Sequence, residues 1–154
     1  MAKKTFQGPK PGRVSVPNQV FLLDAAALLN NESFSFEGGR KYFTTPQVFS
    51  EWRDFRSRLL AENAAKSGAL EIIGPSVASL EKCRAECKKT GTVFGNADSS
   101  IVALAIDFRE SGNPFVVITD DYSVQNSLKG LGIKFIGVAQ GEIKKSRMFG
   151  AGHG

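Results

Sequence analysis

The amino-acid sequence predicts a three-layer α/β domain, in which helices cover both faces of a parallel sheet. Short apolar runs rich in β-branched residues alternate with longer segments that have helical spacing and capping residues. Such alternation favours parallel strands joined by helical crossovers. The 154 residues fit one domain with a sizeable core, and 42% hydrophobic residues is ordinary for a globular protein.

Four apolar runs are predicted to form strands: 19–23 (QVFLL), 69–73 (ALEII), 115–119 (FVVIT) and 133–138 (IKFIGV). Two of these strands end in carboxylates. Asp24 follows the first strand, and the adjacent pair Asp120 and Asp121 follows the third. In open α/β sheets ligands bind beyond the carboxyl ends of strands. A charge in that crevice is costly unless it holds a cation, so these acids are site candidates.

Helices are predicted between the strands, at 25–29, 46–66, 77–89, 97–110 and 122–131. The third helix begins after Ser76 as its N-cap and is ended by Gly91. The fourth begins after Asn96, and its run 101–106 (IVALAI) is entirely apolar. We therefore expect the fourth helix to be buried on most sides.

The second predicted helix carries another candidate acid. Thr45 is its N-cap and Pro46 its first residue. Its apolar stripe follows spacings of four, three and four residues: Val48, Trp52, Phe55 and Leu59. Glu51 borders this stripe and has no cation one turn downstream. Asp54 has Arg58 at i+4 and is expected to form a surface ion pair.

A fourth acid position lies at the start of the fourth helix. Asp98 occupies its first turn, where the helix dipole alone would favour a carboxylate. Asp107 lies about 13 Å further along the same helix, so it cannot share a site with Asp98.

The candidate positions Asp24, Glu51, Asp98 and the pair Asp120/Asp121 are far apart in sequence, but an α/β fold brings the ends of its elements to one edge. Clustered carboxylates repel one another and raise each other's pKa. A hard divalent cation relieves that repulsion, and oxygen-only ligands suit Mg²⁺ or Mn²⁺, so we expect a metal site for phosphoryl chemistry. A Ser/His/Asp triad is excluded because the only histidine, His153, lies in a Gly-rich tail. No phosphate-binding G-x-x-x-x-G-K-[ST] motif is present.

The order of the acids, Asp, Glu, Asp and then T-x-D after a strand, resembles the PIN-domain nucleases, which have a FEN-like α/β fold. The resemblance is closest to the Nob-type PIN endonucleases. It rests on YFTTPQVFSEWRD, LEIIGPS, TG followed by ADSSIVALAIDF, and TDDYSVQN, and it covers about residues 19–138. It implies a metal-dependent endoribonuclease that cuts the 3′ end of small-subunit ribosomal RNA during ribosome maturation.

The resemblance also implies roles for individual residues. The catalytic, metal-binding acids would be those that match the family's motif: Asp24, Glu51, Asp98 and Asp121. In T-x-D the family's acid is the second position, so Asp120 is expected to be a neighbour of Asp121 at the metal. Thr119 would supply a hydroxyl at the site, and Asn126 would position the following helix.

Two features depart from the family's pattern. Ala25 and Ala26 follow the first Asp, where the family often has Ser or Thr, so one polar contact is missing. The family usually carries a C-terminal zinc ribbon with four cysteines, and this sequence has two cysteines in all. Cys83 and Cys87 lie four residues apart on the same side of a predicted helix as Val77. We expect them to be apolar core residues that do not bind zinc.

The net charge of +5 is concentrated at the two ends of the chain. Of the 20 basic and 15 acidic residues, four basic residues and no acid lie in 1–18, and three basic residues and one acid lie in 142–154. We therefore expect a flexible basic segment at 1–18, a PIN-like nuclease domain at 19–141 and a basic Gly-rich tail at 142–154. Basic ends around a nearly neutral body favour a polyanion partner, here RNA.

The expected RNA partner is the precursor of the small ribosomal subunit. A homodimer, and a separate chain that supplies the zinc ribbon or acts as an assembly factor, stay open as further partners. No apolar run is long enough to span a bilayer, and the N-terminus lacks the apolar core of a secretory signal. We therefore expect a cytoplasmic protein with no membrane partner.

Two other functions stay open within the same fold. One is a toxin-type PIN ribonuclease, which pairs with an antitoxin that enters its active site. The other is a non-catalytic PIN module that binds RNA or a partner. A phosphoacceptor receiver domain is disfavoured because it needs an acid pair after the first strand, and here Asp24 stands alone.

Overall fold

The computed structural model describes residues 19–29 and 31–138. Within them the chain forms one parallel sheet of five strands: β1 (Gln19–Leu23), β2 (Arg40–Thr44), β3 (Leu70–Ile72), β4 (Val116–Ile118) and β5 (Phe135–Ile136). The strand order is β3-β2-β1-β4-β5. The chain therefore builds outward from β1 in one direction and then in the other, so the order reverses between β1 and β4. Ligands of open α/β sheets bind at such a reversal.

The prediction of a parallel α/β sheet is confirmed, but the prediction of four strands missed β2. The sequence of β2, RKYFT, is not an apolar run, because only Tyr42 and Thr44 are fully buried. Lys41 lays its ammonium over the Phe43 ring at 5.5 Å and donates to the Gly68 carbonyl at 2.8 Å. Thr44 donates its hydroxyl to the Leu23 carbonyl at 2.8 Å. The polar side chains of β2 are bonded to neighbouring parts of the fold, so the strand carries no apolar run by which it could be predicted.

Six helices flank the sheet in the described part of the chain: α1 (Ala26–Leu29), α2 (Pro46–Glu51), α3 (Phe55–Ser67), α4 (Val77–Thr90), α5 (Asn96–Ser111) and α6 (Tyr122–Gly130). The predicted caps at Thr45 and Ser76 are confirmed, since each side chain accepts from the backbone N–H three residues on. Gly91 ends α4 with φ 75°, a left-handed conformation that favours glycine. Asn96 was expected to cap α5, but Gly95 holds that position and makes no side-chain bond.

The prediction of one continuous helix over 46–66 is wrong, because the chain breaks between α2 and α3. Trp52 ends α2 with ψ 78°, and Asp54 caps α3 by accepting from the Ser57 N–H at 2.9 Å. The apolar stripe ends at the break, since Phe55 is 82% exposed and Leu59 is 43% exposed. An aspartate favours a cap over a helix interior because its side chain competes for backbone N–H groups.

The ion pair expected between Asp54 and Arg58 is replaced by bonds to the backbone. The Asp54 carboxylate accepts from Ser57, which lowers its pKa, and the Arg58 Nε donates to the Trp52 carbonyl at 2.8 Å. Both residues therefore hold the α2–α3 junction, residues 52–54.

The core is centred on α5, whose residues from Ser100 to Phe108 are all buried. Asp107 lies in this buried stretch, and its carboxylate accepts from the Ser76 N–H, the Ser76 hydroxyl and the Ser79 hydroxyl at 2.7–2.8 Å. Asp107 thereby ties the start of α4 to α5. This structural role agrees with its exclusion from the site.

The cysteines of α4 contribute to packing. Cys83 is buried in the core and Cys87 is half-buried, whereas Val77, expected on the same side, is 72% exposed. Burial raises the pKa of the Cys83 thiol to about 12.

Near the end of the described chain, α6 stops one residue earlier than predicted and β5 is shorter than the predicted 133–138. No helix of the described residues is both long and apolar enough to cross a membrane. The predicted end segments 1–18 and 142–154 lie outside the described residues.

Candidate active site

The ends of β1 and β4 set the position of the site. These strands are neighbours, with Leu23 opposite Ile118, so the residues that follow them emerge side by side. The Asp24 N–H donates to the Ile118 carbonyl at 3.1 Å, and the Thr119 hydroxyl donates to Asp24 Oδ2 at 2.7 Å. The first acid and the T-x-D motif, 95 residues apart, are thus joined directly.

Asp24 is the most deeply buried acid of the site, with 4% of its surface exposed. Burial raises its pKa, while the bonds from Thr119 and from the Ala25 N–H (2.8 Å to Oδ1) lower it. The negative charges of Asp121 and Glu51 raise it further. Both carboxylate oxygens have a donor, so the hydroxyl missing at Ala25 and Ala26 is not needed to satisfy this acid.

Asp98, in the first turn of α5, has a pKa raised to about 6. Burial is the largest cause, followed by repulsion from Asp24, Asp121 and Glu51. The structure therefore brings Asp24, Glu51, Asp98 and Asp121 close enough for their charges to interact at the carboxyl edge of the sheet, and we call the place that these four acids share the acid crevice. Glu51, the last residue of α2, reaches this crevice from the helical side and is exposed.

These acids are close without forming a closed set of ligands. Among residues 19–29 and 31–138, no three Asp, Glu, His or Cys side chains are arranged so that they could hold one ion in this conformation. Charge repulsion acts over longer distances than coordination, which needs oxygens about 2.0–2.6 Å from the ion. The oxygen-only donors fit a hard divalent cation chemically, and such an ion would offset the repulsion between their charges.

The two acids of the T-D-D sequence face different surroundings. Asp121 caps α6 by accepting from the Val124 N–H at 3.0 Å, and its charge acts on both Asp24 and Asp98. Asp120 accepts from the Val138 N–H at 2.9 Å, beyond the end of β5. Asp121 therefore belongs to the group of four, and Asp120 has a structural partner. The metal role of either residue stays a prediction.

The residues predicted to support the site differ in what they contact. Thr119 is fully buried and accepts from the Asp121 N–H at 3.1 Å while it donates to Asp24. Asn126 lies exposed on α6. Its neighbour Gln125 ties the helix to the strand end, because Gln125 Nε2 donates to the Thr119 carbonyl at 2.8 Å. Gln125 thus helps to position α6, and the positioning role expected for Asn126 stays a prediction.

Two further contacts were not predicted from the sequence. The buried Trp52 donates its indole N–H to the Ala25 carbonyl at 2.9 Å, which connects the end of α2 to the residue after Asp24. The Thr45 and Ser100 hydroxyls bond each other at 2.7 Å and join α2 to α5 near Asp98. Trp52 was assigned to an apolar stripe, yet a buried indole N–H usually finds an acceptor, and that signal could have revealed the first contact.

Sequence comparisons identify the family of the chain. The family model of the PIN domain of ribonuclease matches residues 21–108. Endoribonuclease Nob1 of Methanothermobacter thermautotrophicus is 34% identical over 134 residues, which cover 84% of this chain and 76% of that protein. Ribonuclease VapC3 of Aeropyrum pernix is 32% identical over 130 residues, covering 83% and 92%. Endoribonuclease Nob1 of Pyrococcus abyssi is 36% identical over 105 residues, covering 67% and 62%.

Solved structures share the fold. VapBC-1 from nontypeable Haemophilus influenzae superposes with a TM-score of 0.55 at 14% identity, covering 79% of this chain and 99% of that one. VapBC2 from Rickettsia felis, bound to a DNA fragment from its promoter, gives 0.51 at 15% identity, covering 77% and 98%. The family model spans more than half of the chain, and the relatives match along most of their length. The chain therefore belongs to the PIN-domain family of ribonucleases.

Proposed function

We propose that this chain is a divalent-metal-dependent endoribonuclease whose metal ligands are the four acids of the crevice: Asp24, Glu51, Asp98 and Asp121. The observation that carries the proposal is their convergence: Thr119 bonds both Asp24 and the Asp121 N–H, and Asp98 lies close enough to Asp24, Asp121 and Glu51 for their charges, with burial, to raise its pKa to about 6. Carboxylates crowded in this way are costly without a cation. Metal binding would explain why the fold brings four carboxylates together from distant parts of the chain.

The residues divide into a fixed ligand and adjustable ones. Asp24 is buried and held by the Thr119 hydroxyl and the Ala25 N–H, so its orientation is set before an ion arrives. Glu51 is exposed and can turn towards a cation, whereas Asp121 is exposed with its Oδ1 held by the Val124 N–H and its Oδ2 left for the metal. Bound Mg²⁺ or Mn²⁺ would supply activated water and stabilise the charge that develops on the scissile phosphate.

We propose the 3′ region of precursor small-subunit ribosomal RNA as the substrate and the cytoplasm as the place of reaction. The motifs TDDYSVQN and TTPQVFSEW, the basic ends of the chain and the similarity to the endoribonucleases called Nob1 support this substrate. A homodimer, or a second chain that carries a zinc ribbon or acts as an assembly factor, would help to place the RNA.

A toxin-type ribonuclease is the second candidate. The similarity to ribonuclease VapC3, of which the chain covers 92%, favours it, and so does the fold shared with the VapBC structures.

One cleavage assay separates these functions. Purified protein and Mn²⁺ are mixed with a transcript that spans the mature 3′ end, and with an unrelated RNA of equal length. Cleavage at the mature end that is lost on chelation supports the maturation function. Indiscriminate cutting, or growth arrest on expression that a neighbouring small protein relieves, supports the toxin. If neither Mn²⁺ nor Mg²⁺ yields cleavage, the chain acts as an RNA-binding module.

A further inference from the structure

The segment 52–58 is attached directly to the part of the chain that follows Asp24. The Trp52 indole N–H donates to the Ala25 carbonyl, and Arg56 Nη2 donates to the Leu28 carbonyl at 2.6 Å. This segment also begins one residue after Glu51. Arg53 and Arg58 donate to the carbonyls of Ser50 and Trp52, so both cations are anchored to the residues on either side of Glu51.

Arg58 is the most strongly organised cation of this segment. Its Nε donates to the Trp52 carbonyl at 2.8 Å, and its guanidinium lies over the Phe49 ring, 4.2 Å from the ring centroid. The bond at Nε and the ring against its face together fix the orientation of the planar guanidinium. The two Nη groups form the remaining edge, which is the planar fork that suits a phosphate.

Arg58 has no carboxylate partner within the described part of the chain. The ion pairs found there are Lys41–Glu71, Lys82–Glu110 and Arg109–Glu110. Asp54 and Glu62 are each four residues from Arg58, and neither forms an ion pair with it; Asp54 accepts from the Ser57 N–H. Arg53 is exposed in the same segment, and its Nε reaches only the Ser50 carbonyl, at 3.4 Å.

We propose that Arg58 binds a backbone phosphate of the substrate RNA beside the acid crevice, and that Arg53 adds a second positive charge there. This inference rests on the proposed function and names residues that hold its substrate. Four clustered acids repel a polyanion, and a bound metal offsets that repulsion only at the scissile phosphate. A neighbouring phosphate needs its own cation, and a fixed guanidinium provides one with little loss of side-chain entropy on binding.

The test compares Arg58→Gln and Arg58→Lys with Lys66→Gln. Lys66 lies in the last turn of α3, the helix that leads from the carboxyl edge of the sheet towards the start of β3. It is exposed, so this control removes one charge from the same helix at the end away from the acids. Affinity for a short fluorescein-labelled single-stranded RNA is measured by anisotropy in metal-free buffer at several salt concentrations.

Arg58→Gln is expected to weaken RNA binding by about tenfold, the scale of a lost hydrogen bond to a charged group. It should also reduce the slope of log K against log[salt] by about 0.7, the value for one phosphate contact on a single strand. Arg58→Lys keeps the charge but loses the fork, so it should retain the slope with an intermediate affinity. Lys66→Gln should change the affinity by less than about twofold, because an isolated surface charge contributes little.

Thermal melting separates phosphate binding from a purely structural role. If both Arg58 variants melt early while every folded variant keeps the parent's salt slope, Arg58 only holds the α2–α3 junction and the inference is overturned. Should Arg58→Gln fail to fold, Arg53→Gln reports on the same site from an exposed position. An unchanged slope in Arg53→Gln, with an unchanged affinity in Arg58→Lys, would also overturn the proposal.

The outcomes distinguish this inference from the proposed function. RNA cleavage that persists with unchanged binding in Arg58→Gln removes the inference and leaves the nuclease. Arg58-dependent binding without any cleavage in Mn²⁺ removes the nuclease and leaves the phosphate site. A parent protein that does not bind RNA contradicts both.

Discussion

One of the two carboxylate oxygens of Asp24 accepts its hydrogen bond from the Thr119 hydroxyl. A substitution of Thr119 therefore tests the site at the scale of one residue. Thr119→Val keeps the shape of the side chain but leaves the buried Oδ2 without its donor. We expect the free energy of unfolding to fall by roughly 1–3 kcal/mol. Metal affinity should fall about 10–100-fold, as is typical when the partner of a ligand is removed.

Chemical denaturation and Mn²⁺ titration calorimetry measure the two effects of Thr119→Val. Thr119→Ser keeps the hydroxyl and should retain metal affinity close to that of the parent. If Thr119→Val binds Mn²⁺ as the parent does, Asp24 does not need this bond to act as a ligand.

A second prediction concerns the charge of Asp98. Its pKa of about 6 in the fold lies above its ordinary value of 3.8, so the folded state binds more protons than the unfolded state between these values. This acid therefore destabilises the metal-free protein as the pH rises from about 4 to about 6. Asp98→Asn removes that loss, and the metal-free variant should melt no earlier than the parent at about pH 7.

The same substitution should abolish RNA cleavage and reduce the stabilisation that added Mn²⁺ provides, because one ligand is missing. The difference in melting temperature between variant and parent should shrink as the pH falls below 3.8, the ordinary pKa of this acid, because Asp98 is then mostly protonated in the unfolded as well as the folded state. Melting curves across this pH range and the cleavage assay check these effects. A variant that cleaves at the parent's rate would rule out a metal role for Asp98.

At the scale of the element, the break between α2 and α3 determines whether replacing Asp54 by alanine raises or lowers the melting temperature. If Asp54 were inside a continuous helix, Asp54→Ala would be stabilising, because alanine has the higher helix propensity. As the N-cap of α3, Asp54 holds the Ser57 N–H, so Asp54→Ala should lower the melting temperature. Asp54→Ser can still cap and is the control. A rise in the melting temperature of Asp54→Ala would contradict the break.

The elements that could be predicted from the sequence are defined by contacts between nearby residues, whereas the elements that were missed depend on contacts between distant ones. The caps at Thr45 and Ser76 are local, because a side chain and a backbone N–H three residues on are enough to define them. The strand β2 and the break at 52–54 depend on distant partners. Thr44 bonds Leu23, Trp52 bonds Ala25, and neither partner can be identified from neighbouring residues.

The same distinction applies to the site. Asp24 and Asp121 could be predicted as neighbours because they follow apolar strands, and Asp98 because it begins a helix; their role at a metal stays a prediction. The T-x-D resemblance favoured Asp121 over Asp120, but the bond that Asp120 accepts from the Val138 N–H, 18 residues away, could not be read from spacing. Gln125 was missed because its amide acts on the backbone of Thr119, a contact that leaves no pattern in the sequence.

At the scale of the whole molecule, the uneven charge predicts two separable contributions to RNA binding. Residues 1–15 carry four basic residues and no acid. Deleting them should weaken RNA binding and reduce its salt dependence, because fewer counterions are released. Mn²⁺ affinity should stay the same, since the four acids are retained. Anisotropy titrations at several salt concentrations and calorimetry measure the two quantities, and a loss of Mn²⁺ affinity would contradict their separation.

The position of Trp52 gives the molecule an optical property. It is the only tryptophan in the chain, it is buried, and its indole is bonded to the residue after Asp24 while its backbone follows Glu51. The tryptophan fluorescence of this protein therefore originates only beside the acid crevice. A paramagnetic ion such as Mn²⁺ quenches nearby emission, so occupancy of the site could be followed in the unlabelled protein, before any RNA is added.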